Sequence, residues 1–166
     1  MERRDRDTST NEQASAVSSD RPAAPPLFGD LLALARVHWI REMAASVAAC
    51  GYLDYRSTDA VLVRLLRRHT SVAISDLGSW LGISRQAARK LVTGLERRGY
   101  ATEVRDTHDS RVVKVQLTSD GEAYADVVIE VVHNLNRQLV ERVGADDLAV
   151  ASAVLRMILR GAGARS

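Results

Sequence analysis

Arg85, Gln86, Arg89 and Lys90 lie within six residues of one another in "SRQAARKL", at a spacing that puts them on one face of a helix. The chemistry such a set can do is recognition of hydrogen-bond acceptors on a nucleic acid. An arginine fork matches a guanine edge with two contacts, and a glutamine amide matches adenine. Thr93 continues the same face. Ser84, directly ahead, is a helix cap, and the free N–H groups at a helix start suit a phosphate oxygen. A second basic set follows in "RDTHDSR", where Arg105 and Arg111 flank a hairpin tip. An arginine at such a tip fits the narrow minor groove, where the potential is most negative. Asp109, two residues before Arg111, is placed to orient its guanidinium. The competing readings are an ordinary amphipathic surface helix, which accounts for Arg97 and Arg98, and a solvated hairpin with a weak ion pair.

Positioning these groups requires a scaffold, and the apolar periods outline one. Phe28, Leu32, Ala35, Trp39, Met43 and Val47 recur at helical spacing from Leu27 to about Ala49. Ser57 is a candidate cap for a second helix, with Val61, Leu62, Leu65 and Leu66 inward and Arg64, Arg67 and Arg68 outward. "SVAI" is a short strand, and Ser75 a cap for a third helix that stops at Gly82. The "LGIS" turn leads into the helix from Ser84, whose stripe is Ala88, Leu91, Val92 and Leu95 and whose stop is Gly99. "YATEV" and "VVKVQL" follow as strands. In the second, Val113, Val115 and Leu117 alternate with Val112, Lys114 and Gln116. Thr118 caps a long helix carrying Tyr124, Val128, Val131, Leu135 and Leu139. A last helix runs from about Asp147 to Leu159, with Leu148, Val154, Leu155 and Ile158 inward.

The fold class expected is mostly α (α+β): a winged helix-turn-helix with a three-stranded wing sheet and a helical dimerisation lobe built from the N- and C-terminal helices. Residues 1–26, polar and ending in "RPAAPP", read as a disordered arm. Residues 27–56 hold a dimerisation helix, 57–117 the DNA-binding domain, and 118–166 the C-terminal dimerisation helices.

The formal net charge of the 166-residue chain is only +2, but it is unevenly spread. Residues 56–117 carry 12 basic and 6 acidic side chains, whereas both flanking segments are net acidic. A positive middle is the footprint expected for a polyanion partner, or a solvated basic face. One cysteine excludes an internal disulfide framework and fits a reducing cytosol, so a cytoplasmic location is expected. The apolar runs are too short to span a bilayer, and no leader pattern opens the sequence.

The run "SDLGSWLGISRQAARKLVTGLERRGYATEVRDTHDSRVVKVQLTSDG" resembles the MarR family of winged-helix transcriptional regulators, and the resemblance extends from about Leu27 to about Gly161. Its most specific part is the wing pattern, matched by Asp106, Asp109, Arg111, Leu117, Thr118 and Gly121. Ser110 departs from it, standing where the family often has arginine. Leu95 and Glu96 ahead of Arg98 and Gly99 also match. The resemblance implies a homodimer paired through the terminal helices, and the apolar stripes of the two terminal segments are consistent with that. It implies double-stranded DNA as partner, read as a palindromic operator with half-sites about one helical turn apart, and a repressor role. It also implies release by a small aromatic or phenolic ligand held between the two lobes. Arg36, His38, Trp39 and Arg41 are the residues that fit such a pocket, although Trp39 lies on the apolar stripe, where a dimer core is the commoner role. Cys50 offers an alternative, oxidant sensing, if it is exposed and near positive charge; otherwise it is a small core residue. A winged-helix protein-interaction module without DNA binding is a further alternative, one with no need of the positive face.

His38, His69, His108 and His133 are scattered and show no ligand spacing, so no metal is expected, nor any other cofactor. The chain has no Ser/His/Asp set, no paired carboxylates in an apolar setting and no phosphate loop, so no enzyme is expected.

Overall fold

The computed structural model describes residues 26–105 and 112–163. Among them are six helices and three strands. They follow in the order α1 (Phe28–Ala49), α2 (Ser57–Arg67), β1 (Val72–Ala73), α3 (Ile74–Leu81), α4 (Arg85–Glu96), β2 (Ala101–Arg105), β3 (Val113–Leu117), α5 (Ser119–Val143) and α6 (Ala145–Gly163). The strands form one antiparallel sheet in the order β1-β3-β2. Val72 faces Val115 across the first ladder, and Glu103 faces Val115 across the second. This is the mostly helical, winged helix-turn-helix class expected from the sequence.

One core joins the elements. Met43 and Val47 of α1, Leu62, Val63 and Leu66 of α2, Leu77 of α3, Val92 and Leu95 of α4, Val115 of β3, and Tyr124 and Val128 of α5 are all buried. On α2 the inward face differs from the expected one. Val63 is buried, Val61 is exposed, and Arg64 is half-buried because it folds back to donate to the Ala60 carbonyl at 2.9 Å. Burial, reinforced by the neighbouring Arg68, depresses the Arg64 guanidinium's pKa. Arg67 stays on the surface and donates to Asp126 of α5 at 2.8 Å, which holds that carboxyl below its usual range.

Two of the expected caps form. Ser84 Oγ accepts the Ala87 N–H at 3.2 Å, and Thr118 Oγ1 accepts the Gly121 N–H at 3.0 Å. The other two do not. Ser57 is the first residue inside α2, and Arg56 takes the cap position. Ser75 lies inside α3, which begins at Ile74. In both cases the chain enters the helix directly from an extended residue, Arg56 or Ala73. α6 begins earlier than expected, at Ala145, and Val154, Leu155 and Ile158 are exposed rather than inward, because the main packing partner of α6 in the single chain is α5. Phe28 and Leu32 of α1 are exposed for a similar reason: only the C-terminal half of α1 reaches the core.

Arg98 is the largest departure. Instead of a solvated side chain it is a largely buried hub. Its guanidinium pairs with Asp59, which is 3% exposed, and donates to the Asp54 carbonyl and carboxylate at 3.1 and 3.3 Å. It also lies over the Tyr100 ring, 5.2 Å from the centroid. Tyr100 stacks on Tyr124 at 4.5 Å, and Tyr52 sits 5.1 Å from Tyr124. Burial pushes the Tyr124 phenol up to about 12 and raises that of Tyr100, to which Asp54 adds. The cluster ties the end of α4 to α2, to α5 and to the α1–α2 connection.

Candidate nucleic-acid interface

The interface is built by a tight turn. α3 ends at Gly82, whose φ of 64° lies in the left-handed region that glycine occupies without strain. The Ile83 N–H donates to the Gly78 carbonyl at 2.9 Å and closes the turn. Gly78 packs closely under the turn: a Cβ there would sit 3.1 Å from the Ile83 carbonyl oxygen, a tight contact that the turn would have to give way to accommodate. The chain then enters α4 at Ser84, with the N-terminal end of that helix turned to solvent.

α4 divides cleanly. Ala88, Val92 and Leu95 are buried against the body, with Leu91 half-buried. Arg85, Gln86, Arg89 and Lys90 are exposed together on the opposite side, and Thr93 is half-buried at its margin. Arg85, Gln86 and Lys90 make no ion pair or side-chain hydrogen bond among the described residues. Such an array of donors on a projecting, capped helix can meet base edges and phosphates in a major groove.

Arg89 differs from its neighbours. Its two terminal nitrogens lie 2.8 and 3.2 Å from the two carboxylate oxygens of Glu103 on β2. Glu103 was not among the residues singled out from the sequence. The available signal was its register: it shares a strand face with Ala101, which is buried, and an acid on a core-facing register needs a cation near it.

Arg105 is exposed at the end of β2, opposite Val113. Asp109 and Arg111, with Asp106, His108 and Ser110, lie outside the described residues.

The residues offered for a ligand pocket separate into two pairs. A cavity of about 460 Å³ lies between α1 and α5, with His38, Trp39 and Glu42 on one wall and Leu135, Leu139 and Arg142 on the other. Arg36 and Arg41 do not line it; they stay exposed on α1. The cavity therefore sits within the helical lobe rather than between the lobes, and its cation is Arg142. The sequence signal for Arg142 was its place about one turn beyond Leu139, the last residue of the stripe that begins at Tyr124. His38 lies 3.9 Å from Glu42 across the rim.

Cys50 is exposed at the end of α1, which removes the core reading for it. Among the described residues no group of three or more His, Cys, Asp or Glu side chains is placed to hold a metal ion, and His69 lies against the Trp80 ring at 5.1 Å. No helix among them is long and apolar enough to cross a membrane.

No family model and no curated protein matches the sequence. Solved structures do match the fold. The PcaV transcriptional regulator from Streptomyces coelicolor, solved with its natural ligand, is 22% identical over 84% of this chain and 99% of its own, with a TM-score of 0.71. MepR from S. aureus, in complex with DNA, is 15% identical over 82% of this chain and 99% of its own, with a TM-score of 0.72. A mutant of MarR from E. coli complexed with operator DNA is 21% identical over 81% of this chain and 99% of its own, with a TM-score of 0.62. From its element order, its sheet and these likenesses, the chain has the winged helix-turn-helix fold of the MarR-family regulators.

Proposed function

We propose that the protein is a homodimeric, sequence-specific DNA-binding transcriptional repressor, released from a palindromic operator by a small aromatic or phenolic ligand. The observation that carries this reading is the outward face of α4. Arg85, Gln86 and Lys90 are exposed, unpaired among the described residues and held on a capped helix behind a glycine turn. Solved relatives of the fold bound to DNA, such as MepR, support the same partner. The cavity between α1 and α5, with His38, Trp39 and Arg142 on its walls, supports an aromatic anion as effector. The PcaV structure with its natural ligand is consistent with ligand control.

The test is a duplex selected by the wild-type protein from a random pool, titrated with Ala variants at two salt concentrations. Gln86→Ala is expected to lose about 1–3 kcal/mol on the selected duplex and to relax its sequence preference. Lys90→Ala is expected to weaken all duplexes alike and to reduce the salt slope by about one. Unchanged affinity in Arg85→Ala, Gln86→Ala and Lys90→Ala together would remove α4 from the interface.

The dimer rests on a separate observation. Leu31 and Leu34 of α1 and Val150, Met157 and Leu159 of α6 are between half and three-quarters exposed on the single chain. So much exposed apolar surface on the two terminal helices suits a self-complementary interface. Light scattering at micromolar concentration is expected to give twice the chain mass of 18.2 kDa; the monomer mass would exclude this arrangement.

A further inference from the structure

We infer that Glu103 is a specificity-determining residue of the α4 face, holding Arg89 away from the phosphates of arbitrary DNA while leaving it able to meet a base edge. The inference rests on the DNA-binding reading of α4 and goes beyond it to a residue that touches no ligand in that reading.

Both partners are well placed for this. Arg89 occupies the second exposed turn of α4, beside Gln86 and Lys90. One terminal nitrogen donates to Glu103 Oε2 at 3.2 Å and the other lies 2.8 Å from Oε1 without hydrogen-bond geometry, so the guanidinium is held beside the carboxylate by an ion pair carrying a single hydrogen bond. Glu103 is itself anchored, because its backbone lies in the β2–β3 ladder opposite Val115. The Arg89 side chain is 51% exposed and that of Glu103 26%, with its Oε1 buried, so the arginine stands at the surface within reach of an incoming ligand while the acid is held behind it. Among the described residues, no other carboxylate pairs with an outward side chain of α4.

An acid at the centre of a polyanion-binding face works against binding unless it sharpens selection. A guanidinium has five N–H donors, and two contacts to one carboxylate leave the others available. A guanine edge is uncharged, so it can accept from the remaining donors with the ion pair intact. A phosphate is an anion. To use Arg89 it has to come up against the Glu103 carboxylate or displace it, and either is opposed by like-charge repulsion that is independent of base sequence. The pair therefore penalises backbone contact more than base contact.

Glu103→Gln removes the charge and keeps the shape. At low salt it is expected to raise affinity for a shuffled-sequence duplex roughly threefold to tenfold, while affinity for the selected duplex changes less than about twofold. The specificity ratio falls accordingly. In an Arg89→Ala background the same substitution is expected to change either affinity by less than about twofold, because the coupling has been removed. Glu103→Thr, a residue that suits a strand, repeats the measurement if the Gln variant melts early. Equal gains with and without Arg89 would overturn the inference, leaving only the general effect of a lost negative charge. So would a fall in selected-duplex affinity matching that of Arg89→Ala, which would make Glu103 a support for base contact. A wild-type protein that binds no duplex at all would instead overturn the DNA reading, and this inference with it.

Discussion

Gly121→Ala is expected to destabilise the protein by roughly 3 kcal/mol or more. Gly121 lies in the first turn of α5, where that helix starts against the end of α4 and the beginning of β2. A Cβ built there falls 1.8 Å from the Tyr100 carbonyl oxygen and 2.7 Å from its carbonyl carbon. The obstruction is backbone, so no side-chain rotation relieves it. The Tyr100 carbonyl is also committed, accepting the Thr118 N–H at 3.2 Å. Thr118 in turn accepts from the Gly121 N–H and donates to the Gly99 carbonyl at 2.6 Å, so a shift of α5 breaks several hydrogen bonds at once. Gly94→Ala is the control. It lies inside α4 with nothing within 4 Å of a built Cβ, and is expected to gain about 0.5–1 kcal/mol from helix propensity. Denaturant unfolding of both variants decides the matter; a Gly121→Ala protein as stable as wild type would mean that α5 does not seat on Tyr100.

Arg98→Ala is expected to cost about 3–5 kcal/mol, because it leaves the Asp59 carboxylate buried without its cation. The side-chain exposures of the pair, 12% and 4%, put it well below the surface, where solvent screening is slight. The substitution also removes the contacts to Asp54 and the packing over Tyr100. The loss therefore spreads to all the elements that meet there. Replacing both partners with apolar side chains, Asp59→Leu with Arg98→Met, is expected to recover most of the stability, since two desolvated charges are removed together. Thermal or denaturant unfolding of the single and double variants checks this. A double variant no better than Arg98→Ala would place the stabilisation in the Asp54 and Tyr100 contacts instead.

Much of the scaffold is legible in local sequence. The 3.6-residue period located every helix except α3, which was placed by Ser75 and Gly82, and the alternation of Val113, Val115 and Leu117 located the strand that becomes the centre of the sheet. Gly82 and Gly99 mark helix ends where φ is positive, 64° and 75°. Ser84 and Thr118 caps depend on a donor three residues away, a distance at which sequence and structure are nearly the same thing. Ser57 and Ser75 had equally good side chains and did not cap. A cap also needs the residue before the helix to be the one in extended conformation, and the neighbouring chain placed Arg56 and Ala73 there.

The sequence by itself determined the order of elements, the turn before α4 and the outward set Arg85, Gln86, Arg89 and Lys90, because all of these are set by contacts within about one helical turn. Tertiary structure decided what the charged side chains meet. Arg98 finds partners 39 and 44 residues earlier in the chain, and Arg89 one 14 residues later on another element. It also put Arg142 beside His38 and Trp39 at the α1–α5 cavity while Arg36 and Arg41 lie elsewhere on α1, and left the apolar stripes of α6 and the first half of α1 uncovered on the single chain. A charged side chain has the same local pattern whether it ends in water or against a distant carboxylate. Only the packing of one element on another determines how much solvent is removed from it and which opposite charge lies within reach.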